Sequence, residues 1–223
     1  MRNISGGSEG ESDMNLYLIR HGETDWNAEG RLQGQMDIPL NEKGMEQMLQ
    51  VAEKMKQLGI EADSIVTSPL QRAKQSAGIV SAILGYNVED ISVEPLLTER
   101  SFGEGEGKSW SELVAQYPEG ICAGYEPFEG VEPLEALLER GQAAFDKIVG
   151  TYAGMQNIIV VAHGAILSAM VDSITNGKLE YGSGRVAFCQ GSIYVVRCLK
   201  ETIDIAGYDK EKEQFLLIEK GAR

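Results

Sequence analysis

The sequence predicts an α/β fold with a mainly parallel sheet and helices on both faces. Three observations carry this expectation. Short apolar runs bounded by polar or turn residues recur along the chain, and longer stretches of helical period separate them. The two clearest runs, Asn15–Ile19 and Ile158–Ala162, both lead into His-Gly. An apolar run of about four to eight residues suits a strand buried on both faces, and a helix between two such strands is the usual parallel crossover.

In chain order, residues 1–13 (MRNISGGSEGESD) are polar and rich in Gly, Ser and Glu, without the apolar core of a signal peptide. They are expected to form a disordered tail. Asn15–Ile19 is the first strand. From Asn41 to Leu58, apolar residues at Met45, Met48, Leu49, Ala52, Met55 and Leu58 define a helical face, and Gly59 ends it. Ser64–Thr67 is a weaker strand. Ser68-Pro69 then reads as an N-cap with proline at the first helical position, opening a helix with Leu70, Ala73, Ala77, Val80 and Leu84 on one face. Ile91–Val93 is a further short strand. Residues 100–131, rich in Gly, Glu, Pro and aromatics, read as an excursion from the core and a lid. Glu132–Tyr152 is helical through Leu134, Leu137, Leu138, Ala144, Phe145 and Ile148. A fourth helix, Gly164–Ile174, starts at the second His-Gly. Ser192–Leu199 and Gln214–Ile218 are late strands, as antiparallel neighbours or an edge. No linker interrupts residues 14–223, which are expected to form a single domain.

Composition narrows the function classes. The 223 residues suffice for a substantial core, and 43% hydrophobic with 24% charged residues is ordinary for a soluble protein. A formal net charge of -14 argues against a broad nucleic-acid or anionic-membrane surface. No apolar run approaches the ~18 residues of a membrane span. Cys122, Cys189 and Cys198 are odd in number and unpatterned in spacing, which fits neither a disulfide framework nor a zinc site and points to a reducing cytoplasm.

The chemistry gathers at strand ends. His21 and His163 are the two histidines of the chain, and each follows an apolar strand, where open α/β sheets bind ligands. Glycine after each histidine permits a tight turn and close backbone approach. Arg20 precedes the first histidine, and Arg72 lies about one turn inside the helix after Ser64–Thr67. A lone strand-end histidine more often packs than catalyses, and a single arginine more often makes a surface ion pair. In so acidic a chain, two guanidiniums and a helix start converging on one sheet edge suit a phosphate oxyanion. The stretch FGEGEGKS mimics a phosphate-binding G-x-x-x-x-G-K-S loop, but Phe102 stands where its first glycine should be, so Gly103–Gly107 reads as a turn beside Glu99. Trp26, Phe102, Trp110, Tyr117, Tyr125 and Phe128 suit local packing more than a pocket wall. Met45, Met48 and Met55 at helical spacing read as core.

The segments LIRHGETDWN, GRLQGQMDIPLNEKG, SPLQRAKQSA, LLTERSFGEGEG and VAHGAI, in this order, resemble the histidine phosphatase superfamily in its phosphoglycerate-mutase-like branch (branch 1). The resemblance implies a three-layer α/β/α, phosphoglycerate-mutase-like fold with no metal and no organic cofactor. It makes His21 the nucleophile that becomes phosphohistidine. Arg20, Arg72 and His163 form the phosphate pocket, with His163 steadying the developing charge. Asn27, Gln33, Gly34 and the backbone at Gly164 and Ala165 match substrate contacts, and Glu99 falls in the loop that holds the proton donor.

Elementary chemistry supports this assignment. Imidazole is a nucleophile only when neutral, with one ring nitrogen holding its proton toward an acceptor. Phosphoryl transfer needs in-line positioning and neutralised equatorial oxygens, and the leaving alkoxide needs a proton. Mutases of the family carry a long basic insertion after the glutamate loop. Residues 103–133 here hold one lysine, no arginine and many glutamates. This resembles the phosphatase members and predicts hydrolysis of a small phosphorylated metabolite with a weakly charged leaving group, by a monomer or homodimer without nucleic-acid or membrane partners. The alternatives are a cofactor-dependent phosphoglycerate mutase, a non-catalytic phosphate- or phosphoprotein-binding module, and a two-histidine metal site. Arg20 and the lack of ligand spacing oppose the last.

Overall fold

The computed structural model describes residues 13–116, 129–184, 186–199, 202–212 and 214–222. The expected tail at 1–12, the centre of the 100–131 excursion, Cys122, Tyr117, Tyr125 and Phe128 lie outside the described residues.

Seven strands form one sheet: β1 (Met14–Arg20), β2 (Ser64–Thr67), β3 (Ser92–Val93), β4 (Asn157–Ala162), β5 (Ile193–Cys198), β6 (Thr202–Asp209) and β7 (Gln214–Ala222). The order is β3-β2-β4-β1-β5-β6-β7. From β3 to β1 every pairing is parallel, and from β1 to β7 every pairing is antiparallel. The helices are α1 (Asp25–Ala28), α2 (Glu42–Gln57), α3 (Gln71–Leu84), α4 (Trp110–Gln116), α5 (Leu134–Thr151) and α6 (Gly164–Ile174).

The central strands show why the fold has three layers. Leu16 and Leu18 of β1 and Ile158, Val160 and Ala162 of β4 face one way, into a core completed by Leu137, Phe145 and Ile148 of α5 and Ile166, Leu167 and Met170 of α6. Ile19, Ile159 and Val161 face the other way, against Met48, Val51, Ala52 and Met55 of α2 and Ala73, Ala77 and Val80 of α3. Alternate side chains of one strand thus feed two apolar layers, as the continuous runs require.

Several details differ from the sequence expectations. Met45, Leu49 and Leu58 are exposed at 43%, 42% and 36%, while Gly44 and Val51 lie on the buried face of α2. The stripe is rotated because the start of α2 packs main chain to main chain: a Cβ on Gly44 would strike the Glu23 backbone, and one on Gly22 would strike Gly44. Helix α3 begins at Gln71, not at Pro69, and its cap Leu70 offers no side-chain acceptor. Asp37 supplies one from a distant loop, accepting from Gln71 N at 2.6 Å, which leaves Ser68 for another role. Strand β6 was not anticipated, and β7 runs four residues beyond the expected Ile218. Among the described residues, no helix is long and apolar enough to cross a membrane. Neither Cys189, which is exposed, nor Cys198, which is buried, is in a disulfide.

Candidate active site

Parallel pairing of β1 with β4 brings the two histidines together. Arg20 is in register with Ala162, and His21 N donates to Ala162 O at 3.0 Å, so both chains leave the sheet side by side. The rings of His21 and His163 lie 5.1 Å apart between centroids and are inclined at 60°. Both are buried.

The tautomer of His21 is set from both ends of the ring. Its Nδ1 lies 2.6 Å from Gly22 O, and a carbonyl can only accept, so Nδ1 carries the proton. Arg72 Nε donates toward Nε2 at 3.3 Å, which requires a lone pair there. The loop after His21 is pinned in turn: Gly22 N donates to Ser76 Oγ at 3.2 Å and Glu23 N to Gln47 Oε1 at 2.8 Å.

Arg72 is 1% exposed, yet it carries a charge. Its Nη1 and Nη2 donate to Met36 O and Gly34 O, each at 2.7 Å. Arg20 donates through Nη1 to Phe188 O at 2.6 Å, its Nε is buried without a partner, and its guanidinium lies against Gly164, where a Cβ would come within 3.4 Å. Among the described residues, neither arginine makes an ion pair. Two desolvated guanidiniums that line one cleft and make no ion pair among the described residues form an anion site.

His163 Nε2 lies 2.7 Å from Ser68 Oγ, and its Nδ1 is buried without a partner. Ser68 Oγ also accepts from Leu70 N at 3.3 Å. If the Ser68 hydroxyl proton points to Nε2, Nδ1 becomes a free N–H donor.

Glu99 reaches the start of α6. Its Oε1 accepts from Ala165 N and Ile166 N, each at 3.2 Å, and from Arg100 N at 2.9 Å, while Oε2 accepts only from Ala165 N, at 3.3 Å. The Ala165 amide, expected to meet a ligand, is therefore taken by Glu99. Gly34 likewise uses its carbonyl on Arg72. Asn27 Oδ1 accepts from Thr24 N at 3.2 Å, and Gln33 Oε1 from Thr24 Oγ1 at 2.8 Å, which leaves both amide NH₂ groups as donors. A cleft of about 290 Å³ is lined by Arg20, His21, Asn27, Gln33, Gly34, Arg72 and Glu99, with Arg31, Leu32, Phe102 and Trp110 on its outer wall. Phe102 and Trp110 thus belong to the cleft rather than to local packing alone.

The sequence model described as histidine phosphatase superfamily (branch 1) matches residues 16–210. The chain belongs to this family. A histidine phosphatase relative from Bacillus subtilis (strain 168), the uncharacterized phosphatase PhoE, is 36% identical over 171 residues, covering 77% of this chain and 82% of the relative. The metal-independent phosphoserine phosphatase of Arabidopsis thaliana is 34% identical over 193 residues, covering 81% of this chain and 79% of the relative. Among solved structures, Bacillus stearothermophilus YhfR superposes with a TM-score of 0.74 at 24% identity, over 92% of this chain and 95% of that one. That likeness shows a shared fold.

In this histidine phosphatase both imidazoles are held neutral. Burial is the main cause for His21, followed by the charges of Arg20 and Arg72, and together they push its pKa well below 6.5. For His163, burial comes first, then Arg72, His21 and Arg20. The unfolded chain binds protons at its ordinary histidine pKa near 6.5, and the folded chain does not. The stability from each ring is therefore complete above that pH and declines as pH falls toward the folded pKa, by about 1.4 kcal/mol per pH unit for each histidine. Urea unfolding at pH 7.0 and 5.5 should show this loss. His21→Gln and His163→Gln should each flatten it, and a wild-type midpoint that is flat over that interval would contradict it.

Sequence reasoning missed the partners that orient these groups: Ser68 on His163, the Phe188 carbonyl on Arg20, and the Gly34–Met36 carbonyls on Arg72. Among the described residues, no three His, Cys, Asp or Glu side chains gather as a metal site would require.

Proposed function

We propose that this chain is a metal-independent phosphomonoester hydrolase that works through a phosphohistidine at His21 and acts on a small phosphorylated metabolite in the cytoplasm. The observation that carries the reading is the pairing of a neutral, tautomer-fixed His21 with two guanidiniums, the buried Arg72 and the part-buried Arg20, that are hydrogen-bonded to carbonyls and make no ion pair among the described residues. It is supported by two relatives named as phosphatases, one of them named metal-independent. The cytoplasmic reading rests on the odd number and unpatterned spacing of the three cysteines.

In the first step, the Nε2 lone pair of His21 attacks phosphorus as the P–O bond to the leaving group breaks. Arg20, Arg72, the Nδ1 donor of His163 and the amides of Asn27 and Gln33 neutralise the equatorial oxygens. The leaving oxygen takes a proton from the Glu99 carboxyl, for which Oε2, with its single long contact, is the available oxygen. Water then attacks the phosphohistidine, gives its proton to Glu99, and returns the electron pair of the N–P bond to Nε2. Beyond the phosphate pocket, Arg31 is met by Glu29 at 3.2 Å and lies 4.2 Å above the Trp26 ring. With Leu32, Phe102 and Trp110 as the remaining wall, the cleft favours a leaving group of little charge.

A phosphomonoester panel assayed at several pH values with and without EDTA tests the reading. Inorganic phosphate should be released at a rate that the chelator leaves unchanged. Isomerisation of 3-phosphoglycerate primed by bisphosphoglycerate, without phosphate release, would identify a mutase instead. Phosphate release abolished by EDTA would overturn the metal-independent mechanism.

A further inference from the structure

Glu99 lies on a loop, yet its carboxyl must meet the leaving oxygen within a few tenths of an ångström. Helix α5 carries Arg140. Its Nη1 donates to Leu96 O at 2.8 Å and to Thr98 O at 2.6 Å, the latter immediately before Glu99. Its Nε and Nη2 grip Glu132 Oε1 and Oε2 at 2.8 and 2.7 Å. Glu132 holds the other flank: its carbonyl accepts from Arg100 Nε at 2.8 Å, and its N–H donates to Ser101 O at 2.9 Å. One bidentate pair therefore fastens the main chain on both sides of Glu99. The pair is largely buried, with side-chain exposures of 18% for Arg140 and 16% for Glu132.

We propose that Arg140 is a positioning residue, which with Glu132 holds Glu99 at the height where its carboxyl serves the leaving oxygen. This rests on the reading of Glu99 as the proton donor. A planar fork with several fixed donors can grip two carbonyls and a carboxylate together, which an ammonium on a flexible stem cannot. Misplacement by about 1 Å is enough to cost on the order of 100-fold in a positioned step.

The test exploits leaving-group chemistry. Departure of p-nitrophenolate needs no proton, whereas departure of an alkoxide does. kcat/KM is measured on p-nitrophenyl phosphate and on β-glycerophosphate for wild type, Arg140→Met, Arg140→Lys, Glu132→Gln and Glu99→Gln. Any loss of folded protein lowers both substrates by the same factor and leaves their ratio unchanged. The three clamp variants should each depress the alkyl-to-aryl ratio by about 10- to 100-fold, and Glu99→Gln by about 10²- to 10⁴-fold. In a Glu99→Gln background, Arg140→Met should shift the ratio no further. If Glu99→Gln shifts the ratio and the clamp variants do not, Arg140 only fastens the loop and the proposal falls. If Glu99→Gln leaves the ratio unchanged, the proton-donor reading fails, and the proposal with it.

Discussion

Replacing His21 with alanine lowers kcat/KM by about 10⁴- to 10⁶-fold, the range expected when a covalent nucleophile is removed and the binding groups remain. On the proposed mechanism, wild-type enzyme mixed with phosphorus-labelled substrate and quenched in base during turnover should retain protein-bound label that acid then releases. The His21→Ala protein retains none. This contrast follows from the fixed tautomer, since Gly22 O and Arg72 Nε together leave Nε2 as the one nucleophilic atom of the ring. His163→Ala, by comparison, should keep the trapped label, because in the proposed mechanism its ring stabilises charge and forms no bond to phosphorus. Label surviving in His21→Ala would transfer the nucleophile to another residue.

The second large effect is at Arg72. Substitution by lysine lowers kcat/KM by about 10³- to 10⁵-fold, the range seen for arginines that stabilise a transferring phosphoryl group. The charge survives in such a variant, but the fork does not. Arg72 reaches Gly34 O, Met36 O and His21 Nε2 at once, and a single ammonium cannot serve all three directions. A urea midpoint measured on the same protein separates loss of the fold from loss of the site. A well-folded Arg72→Lys protein within tenfold of wild type would remove Arg72 from the machinery.

What could be read in advance depended on how local the physical cause was. β1 and β4 were legible because burial on both faces writes a continuous apolar run, and the histidines marked where each strand leaves the sheet. Helix α2 was legible because apolar residues recur at helical spacing before Gly59; its cap, Asn41, which accepts from Gly44 N at 2.8 Å, is seen only in the structure. β6 was missed because its alternation, Ile203 and Ile205 inward, slips at a register shift between Ile205 and Ala206, and Gly207 follows. Ser68 looked like a helix cap because the nearby proline suggested one, whereas its actual partner, His163, is 95 residues away. Arg140 carried no signal at all. Its carbonyl partners lie 42 and 44 residues earlier, and one arginine in an amphipathic helix resembles any other. The groups expected to touch phosphorus were therefore easier to find than those that hold them still, since the former sit in compact motifs and the latter are assembled only by the fold.

The contact between Gly22 and Gly44 shows how far that dependence extends. Two residues without side chains let a helix end lie directly on the turn that follows His21. The Gly22 carbonyl that accepts from the His21 Nδ1–H therefore lies on a turn against which the start of α2 packs main chain to main chain. The choice of reactive nitrogen thus depends in part on how helix α2 seats against the turn after β1, together with Arg72 at the other end of the ring.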